Sequence, residues 1–537
     1  MPLGPAERVS VTPEPDHTLA SDSPERSSAS GEGTFGENAL LSAVAWMIPA
    51  VAAFFCLPPT VRGLGPDAYG LLAVVAALTG YLGLIDIGLS QALLRYLSYY
   101  RALDEGRPMI AIIRRALLWF VAAGAAAALL LFVGADWLAR DVFHVSAGLL
   151  PSAVLVIRLS AFNLVLGLVV TVGATVPMSF LRYDIAAGMS VVFGTAGWVG
   201  PAVLVLLGYG IVGVTCFYIV LNVLALPLYL HFGRQLMRTV RHDAGPEWRA
   251  IRRDVLSFAG LVGVNRIGVT VAAQTNRLVI GIVGGTAAAA YYQVPNMLSV
   301  QVTGLLTRIA QVLFPTGAAL IARGELDALR GLYYRSSRLL FLMSGSIAIA
   351  IAVYGRPLLR YWVSPAYAER GSVALVVFAA TAALNAASLP VGFLSWSAAK
   401  AGVNLAFALL NSAVSLVAIY PLASRYGVAG AATAGLLGAL TAPFFIRYVN
   451  RHILEVSSWS VFRRCYLPTL AGAGLVALAS SVLLARFADS LFSTIILLAL
   501  STLLSLVVSG LFGAVKRDEL RGTVSIAHSM RNRLLRR

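Results

Sequence analysis

Four arginines, Arg158, Arg266, Arg277 and Arg308, lie inside long apolar stretches of the chain. A guanidinium facing lipid at a bilayer centre costs roughly 2.5–3.5 kcal/mol. Turning the cations towards a water-filled cavity is cheaper, and there they can hold an anion. The planar fork of arginine donors suits phosphate or pyrophosphate oxygens. Arg266 and Arg277 are eleven residues apart, about three helical turns, so they share a face with Thr270 and Ala273 between them. Gln301, Gly304, Arg308 and Gln311 share a face of the next segment. The expected anion-binding set is therefore Arg266, Arg308, Arg277, Arg158, Gln301 and Gln311. Arg158 and Arg277 lie nearer the ends of their segments, where snorkelling to the interface is the alternative.

Asp86 is the one acid placed with these cations, on a helical face with Thr79, Gly83 and Ser90. It could carry a proton or cation in coupling, pair with an arginine, cap a helix or bond a loop. Asn163, Asn222, Asn385 and Asn411 are read as cavity-lining or interhelical groups. Pro177, Pro201, Pro295, Pro315 and Pro390 are expected to bend or break helices. The two lysines, Lys400 and Lys516, sit in no phosphate-cradling glycine loop. Cys56, Cys216 and Cys465 show no metal-ligand spacing and read as packing residues. No catalytic constellation, metal set or cofactor motif emerges, so an enzyme is not expected.

These residues are positioned by a chain that is membrane nearly throughout. Of 537 residues 58% are hydrophobic and 12% charged, against about 25% charged in a soluble protein. Apolar runs long enough to cross about 30 Å of hydrocarbon recur after residue 38, and fourteen are expected. The net charge of +17 gathers in alternate loops, as in Arg95 to Arg115, Arg234 to Arg253, Arg323 to Arg338 and Arg447 to Arg464. That asymmetry predicts both termini on the cytoplasmic side of the membrane, with anionic headgroups and not nucleic acid as the basic surface's partner. The expected organisation is a disordered tail at 1–37, helices one to six at 38–232, a basic linker at 233–254, helices seven to twelve at 255–450, two more helices at 451–515 and a basic tail at 516–537. A faint repeat joins Leu64-Gly65-Pro66-Asp67-Ala68-Tyr69-Gly70 to Gly284-Gly285-Thr286 and Tyr291. In both places a glycine break precedes an aromatic residue opening the next helix, and six helices separate the copies.

Several motifs together resemble the polysaccharide transporter family, the Wzx-type flippases of lipid-linked oligosaccharides within the multidrug/oligosaccharidyl-lipid/polysaccharide (MOP) exporter superfamily. They are Gly36-Glu37-Asn38, Arg62 to Gly70, Leu84-Ile85-Asp86-Ile87-Gly88-Leu89 with Arg95-Tyr96, and Gln274-Thr275-Asn276-Arg277-Leu278 before Gly284-Gly285. Phe314-Pro315 and Pro357-Leu358-Leu359 leading to Tyr367-Ala368 complete the set. The resemblance implies an all-α polytopic membrane protein with two six-helix lobes about a pseudo-twofold axis along the membrane normal, plus two extra C-terminal helices. It implies alternating access, an undecaprenyl-diphosphate-linked glycan as cargo, and partners among membrane lipids, a polysaccharide polymerase, a chain-length regulator and an H+ or Na+ counter-ion. Asn276 departs from the acid that relatives often place before Arg277, against a carboxylate-coupled ion there. The two extra helices keep a lipid II flippase open as an alternative. A drug exporter of the superfamily is the other, although cationic drugs would want an acidic cavity.

Overall fold

The computed structural model describes residues 25–86, 88–241, 244–483 and 487–514; the remainder, including the whole expected tail at 516–537, lies outside them. The described residues form α1 (Glu25–Leu82), α2 (Leu89–Ala102), α3 (Gly106–Trp137), α4 (Leu150–Ser179), α5 (Tyr183–Leu206), α6 (Gly210–Met237), α7 (Trp248–Ala310) and α8 (Leu313–Ala322). They continue as α9 (Leu326–Trp362), α10 (Pro365–Ser397), α11 (Ala401–Ala439), α12 (Ala442–His452), α13 (Ser458–Val461), α14 (Leu467–Leu483) and α15 (Leu491–Ser509), with no strand among them. α1 opens inside the expected disordered tail, so 25–37 is helical. The correction has a simple cause: lengthening a helix already formed by an apolar segment adds one hydrogen bond per residue fixed, without a new nucleus.

Among the described residues, ten spans are long and apolar enough to cross a membrane. The expected fourteen segments map onto ten because α1, α7 and α11 each run two segments together, while α14, with 17 residues, is shorter than the roughly 20 an upright crossing needs. A straight helix of the 58 residues in α1 would be about 87 Å long. The chain instead turns at Gly65 (φ 78°, ψ 167°). α7 turns at Gly285 (φ 75°, ψ 177°) and α11 at Gly427 (φ 57°, ψ −131°). A side chain disfavours all three conformations, so glycine and not proline marks the breaks. Pro201 and Pro390, expected to bend or break helices, lie inside helices that continue past them, and Pro295 lies within the second leg of α7.

The near-identical turns at Gly65 and Gly285 are the structural form of the repeat, and the packing extends it. α1 lies on α5 as α7 lies on α11; α3 pairs with α4 as α9 with α10; α4 pairs with α6 as α10 with α12. α14 and α15 stand against α9. Their contact is a stripe of small polar residues, Thr494, Ser501, Ser505 and Ser509, all buried, with Gly472 so close to Ser509 that a Cβ there would lie 2.6 Å from its Cα. Close backbone approach through small residues is how helices associate in lipid.

The two halves meet along an antiparallel seam that runs from the second leg of α1 to the start of α2 on one side, and along α7 from Thr286 back to Ala259 on the other. A Cβ on Gly70 would fall 1.7 Å from the Thr286 carbonyl oxygen, and one on Gly88 would fall 2.6 Å from that of Ala259. Val74 packs on Gly281 and Gln274 on Gly80, and the Tyr81 hydroxyl bonds Thr275 and donates to the Val271 carbonyl. Overpacking costs roughly 1–3 kcal/mol. Gly70→Ala is therefore expected to lower the unfolding temperature in detergent clearly, while Gly188→Ala, where a Cβ meets nothing within 4 Å, leaves it nearly unchanged; equal melting curves would contradict the seam.

Candidate functional site

The first half of the bundle encloses a cavity of about 570 Å3 between α1, α4, α5 and α6, reached by Gln293 from the second leg of α7. Its polar lining is Thr60, Thr79, Ser160, Asn163, Thr171 and Thr215 with Tyr69, Tyr218 and Gln293, and Trp198 adds a flat apolar face. Every polar group in this lining is a neutral hydroxyl, amide, phenol or indole. Asn222 donates to Asn163 at 2.9 Å, tying α6 to α4, which is the interhelical role expected of these asparagines. Gln293 keeps a buried side-chain oxygen without a hydrogen-bond partner, and so does Gln274 beside the cavity-lining Gly80. The sequence reading gave Gln293 no place and Gln274 only a place in a family motif; the unmatched amides within apolar helices were the available signal.

Arg277 is linked to this cavity through Tyr69, one of its lining residues. It is partly buried on the first leg of α7 and interacts electrostatically with Tyr292 and with Tyr69, which lines the cavity. Its Nε is buried with no hydrogen-bond partner. Neighbouring Asn276 is fixed in place, within 3.4 Å of Ser415 on α11. Arg266 lies eleven residues earlier on the same helical leg, about 16 Å nearer the opposite end by helical rise; its side chain is outside the described residues.

The other expected ligands do not converge here. Arg158 donates to Asp136 of α3 at 2.7 Å and lies 5.1 Å from the centre of the Phe132 ring. This carboxylate was missed by the expectation that the apolar core offers almost no acid, and it answers the charge locally. Arg308 is exposed over the Trp46 ring, 5.8 Å from its centre, fifteen residues along the helix from Gln293. Gln301 is partly buried and Gln311 is exposed, and neither lines the cavity.

Asp86 is buried and accepts the Ser90 backbone N–H at 2.8 Å. The helix expected through 71–93 is interrupted here by a 3-10 turn, Gly83–Asp86, and by Gly88 in a left-handed conformation before α2 begins. The shared face of Thr79, Gly83, Asp86 and Ser90 is thereby corrected, because helical periodicity does not run through the break. Asp86 takes the capping role, satisfying a first-turn donor of α2.

At the end of the bundle marked by Gly65 and Gly285 the halves are fastened over the cavity. Arg62 donates from Nε to the Val363 carbonyl, and from Nη2 to those of Tyr361 and Trp362 at 2.9 Å each. Those are the closing carbonyls of α9, where helix ends leave acceptors free and favour a cation. The Trp362 indole stacks on Phe54 at 4.9 Å and donates to the Phe54 carbonyl at 2.9 Å. Thr286 donates to Asp67 at 3.0 Å.

A family model described as polysaccharide biosynthesis protein matches residues 35–320, more than half of the chain. The chain belongs to that family. A Shigella flexneri protein provisionally named an O-antigen transporter is 32% identical over 65 residues, 12% of this chain and 16% of that protein's length. Two solved structures share the fold of this polysaccharide biosynthesis protein. The lipid II flippase MurJ in an inward closed conformation aligns with a TM-score of 0.68 at 12% identity, over 88% of this chain and 98% of its own. An inward-facing MATE multidrug transporter of the MOP superfamily aligns with a TM-score of 0.65 at 14% identity, over 78% and 98%. The expected all-α fold and the polysaccharide family are thus borne out.

A half-exposed pair is worth about 0–1 kcal/mol. The cycle of Arg158→Gln, Asp136→Asn and the double variant should give a coupling within that range by thermal unfolding, with the charge-swapped Arg158→Asp, Asp136→Arg protein as stable as wild type. A coupling of several kcal/mol would show a pair far stronger than its exposure allows, and collapse of the swapped protein would show a different partner for Arg158.

Proposed function

We propose that this protein is a flippase of lipid-linked oligosaccharide, carrying an undecaprenyl-diphosphate-linked glycan across the bacterial inner membrane by alternating access. The observation that carries the reading is the pairing of two unlike surfaces at the junction of the halves. The neutral cavity offers hydroxyls, amides and aromatic faces, the groups that hydrogen-bond and stack on sugar rings while demanding no counter-charge. Arg277, with an unmatched donor at its edge, offers the charge that a diphosphate requires. Membership of the polysaccharide biosynthesis family supports the glycan, and the fold shared with MurJ supports movement of a lipid-linked headgroup.

In this reading Arg308, Arg266 and Arg277 form a succession along the two legs of α7. Arg308 meets the diphosphate at the cytoplasmic end, Arg266 lies midway and Arg277 holds it beside the cavity while the sugars enter. The polyprenyl tail remains in lipid, so only the headgroup is desolvated and matched. Arg158, answered by Asp136, stays structural. Coupling to H+ or Na+ is not assigned to Asp86, whose carboxylate caps α2. Passage of product to a polymerase and a chain-length regulator belongs to the same proposal.

A charge-assisted hydrogen bond is worth about 1.5–3 kcal/mol, roughly 10–100-fold in binding. Complementation in a bacterium lacking its own flippase tests the reading at matched expression. Wild type should restore surface glycan; Arg277→Gln, Arg266→Ala and Arg308→Ala should each lose at least about tenfold, and Arg158→Gln should keep most activity. Full activity in all three of the first group would remove the arginine succession, and failure of wild type with several donor glycans would remove the flippase reading.

A further inference from the structure

A second concavity lies about 30 Å from Gly65 by helical rise, between α2, α3 and the opening turns of α7. It has a volume of about 320 Å3 and apolar walls: Leu89, Ile112, Ala116, Val255, Leu256 and Ala259. Its polar lining is Arg115, Trp119, Trp248 and Asp86. Asp86 is already engaged with the first turn of α2. The Trp119 indole donates to the Ile85 carbonyl at 3.0 Å, which fixes its ring as a wall. Arg115 is exposed at the rim, and Arg114, Arg249, Arg252 and Arg253, also exposed, surround it on α3 and the first turns of α7.

The chemistry of this groove is that of one ligand with a charged head and an apolar body. Arg115 sits where α3 passes from its basic start at Arg107 into its long apolar run, the level of lipid headgroups. Tryptophan lines the groove as it lines membrane interfaces, ring in the acyl boundary and N–H towards polar groups. A soluble anion would leave the trough of Leu89, Val255 and Leu256 unfilled, and a neutral lipid would leave the guanidinium unmatched. Basic residues beside a membrane draw anionic lipid by charge, and the apolar trough adds burial of a chain.

We propose that this groove is a binding site for an anionic phospholipid of the membrane itself, its phosphate on Arg115 and one acyl chain in the trough. The site is separate from the glycan cavity and does not depend on the transported substrate. It would tether the interrupted segment around Gly83–Gly88 and the start of α7 to the charge of the surrounding leaflet.

Two variants separate head from chain. Arg115→Gln removes the charge at an exposed position. Gly260→Leu plugs the trough from within, at a lining glycine where a Cβ meets nothing within 4 Å. The full chain, purified in detergent, would be supplied with palmitoyl-oleoyl phosphatidylglycerol or the matching phosphatidylcholine and its retained lipid read by native mass spectrometry. Wild type should retain phosphatidylglycerol preferentially. Arg115→Gln should lower that retention about fivefold, the factor equivalent to about 1 kcal/mol, and Gly260→Leu should lower it while both variants keep the wild-type elution profile. Equal retention of the two lipids by wild type, undiminished phosphatidylglycerol on either variant, or displacement of the bound lipid by equimolar undecaprenyl phosphate would overturn the assignment.

Discussion

The antiparallel seam between the second leg of α1 and the first leg of α7 is the constraint on which the rest of the structure depends. Lipid tails are as apolar as leucine, so helices in a bilayer gain little from hiding hydrocarbon and must instead come close. Gly70 and Gly88 let two backbones come within contact of one another, and Gly80 and Gly281 receive Gln274 and Val74. That line sets the depth of everything near it. Tyr69 on one side of the seam and Arg277 on the other are near enough to interact electrostatically, and Gln274 is held against the cavity wall by the same register.

The intramembrane charges are then handled one at a time. Arg158 has a carboxylate, Arg308 has the face of an indole, and Arg277 has two phenols and an open donor. These are three different solutions to the same desolvation problem, and they differ in what they leave over. The ion pair neutralises the Arg158 charge and leaves only its Nε unmatched. A cation over an aromatic ring at an exposed site is held by roughly 0.5–1 kcal/mol, which an arriving phosphate can replace. A guanidinium among phenols has partners too weak to neutralise it, and so retains the strongest claim on an anion.

Much of the fold could be read from residue order alone. Apolar run length located the membrane segments, and the glycine breaks near 65 and 285 marked the repeat that the matching backbone angles now display. The number of separate helices was less legible, because a glycine that turns a chain and one that merely spaces two helices look alike in sequence. Prolines were a poorer guide to the breaks: at Pro201 and Pro390 the helix continues, since ending it would expose unpaired backbone groups to hydrocarbon. The site was half legible. Arg277 stands beside the cavity, but the partner of Arg158 lies on a neighbouring helix, 22 positions away, and no periodicity within one helix reveals it. Gln293 and Gln274 carry no charge to draw attention, and only the shape of the enclosed space gives them meaning.

The fastening of Arg62 to the closing carbonyls of α9 has a consequence for what can work it. One guanidinium serves three carbonyls at the end of a single helix, so the three bonds are made or lost together. Whatever parts the two halves at that end must shift the end of α9 relative to α1 as a unit, and must also release Thr286 from Asp67 beside it.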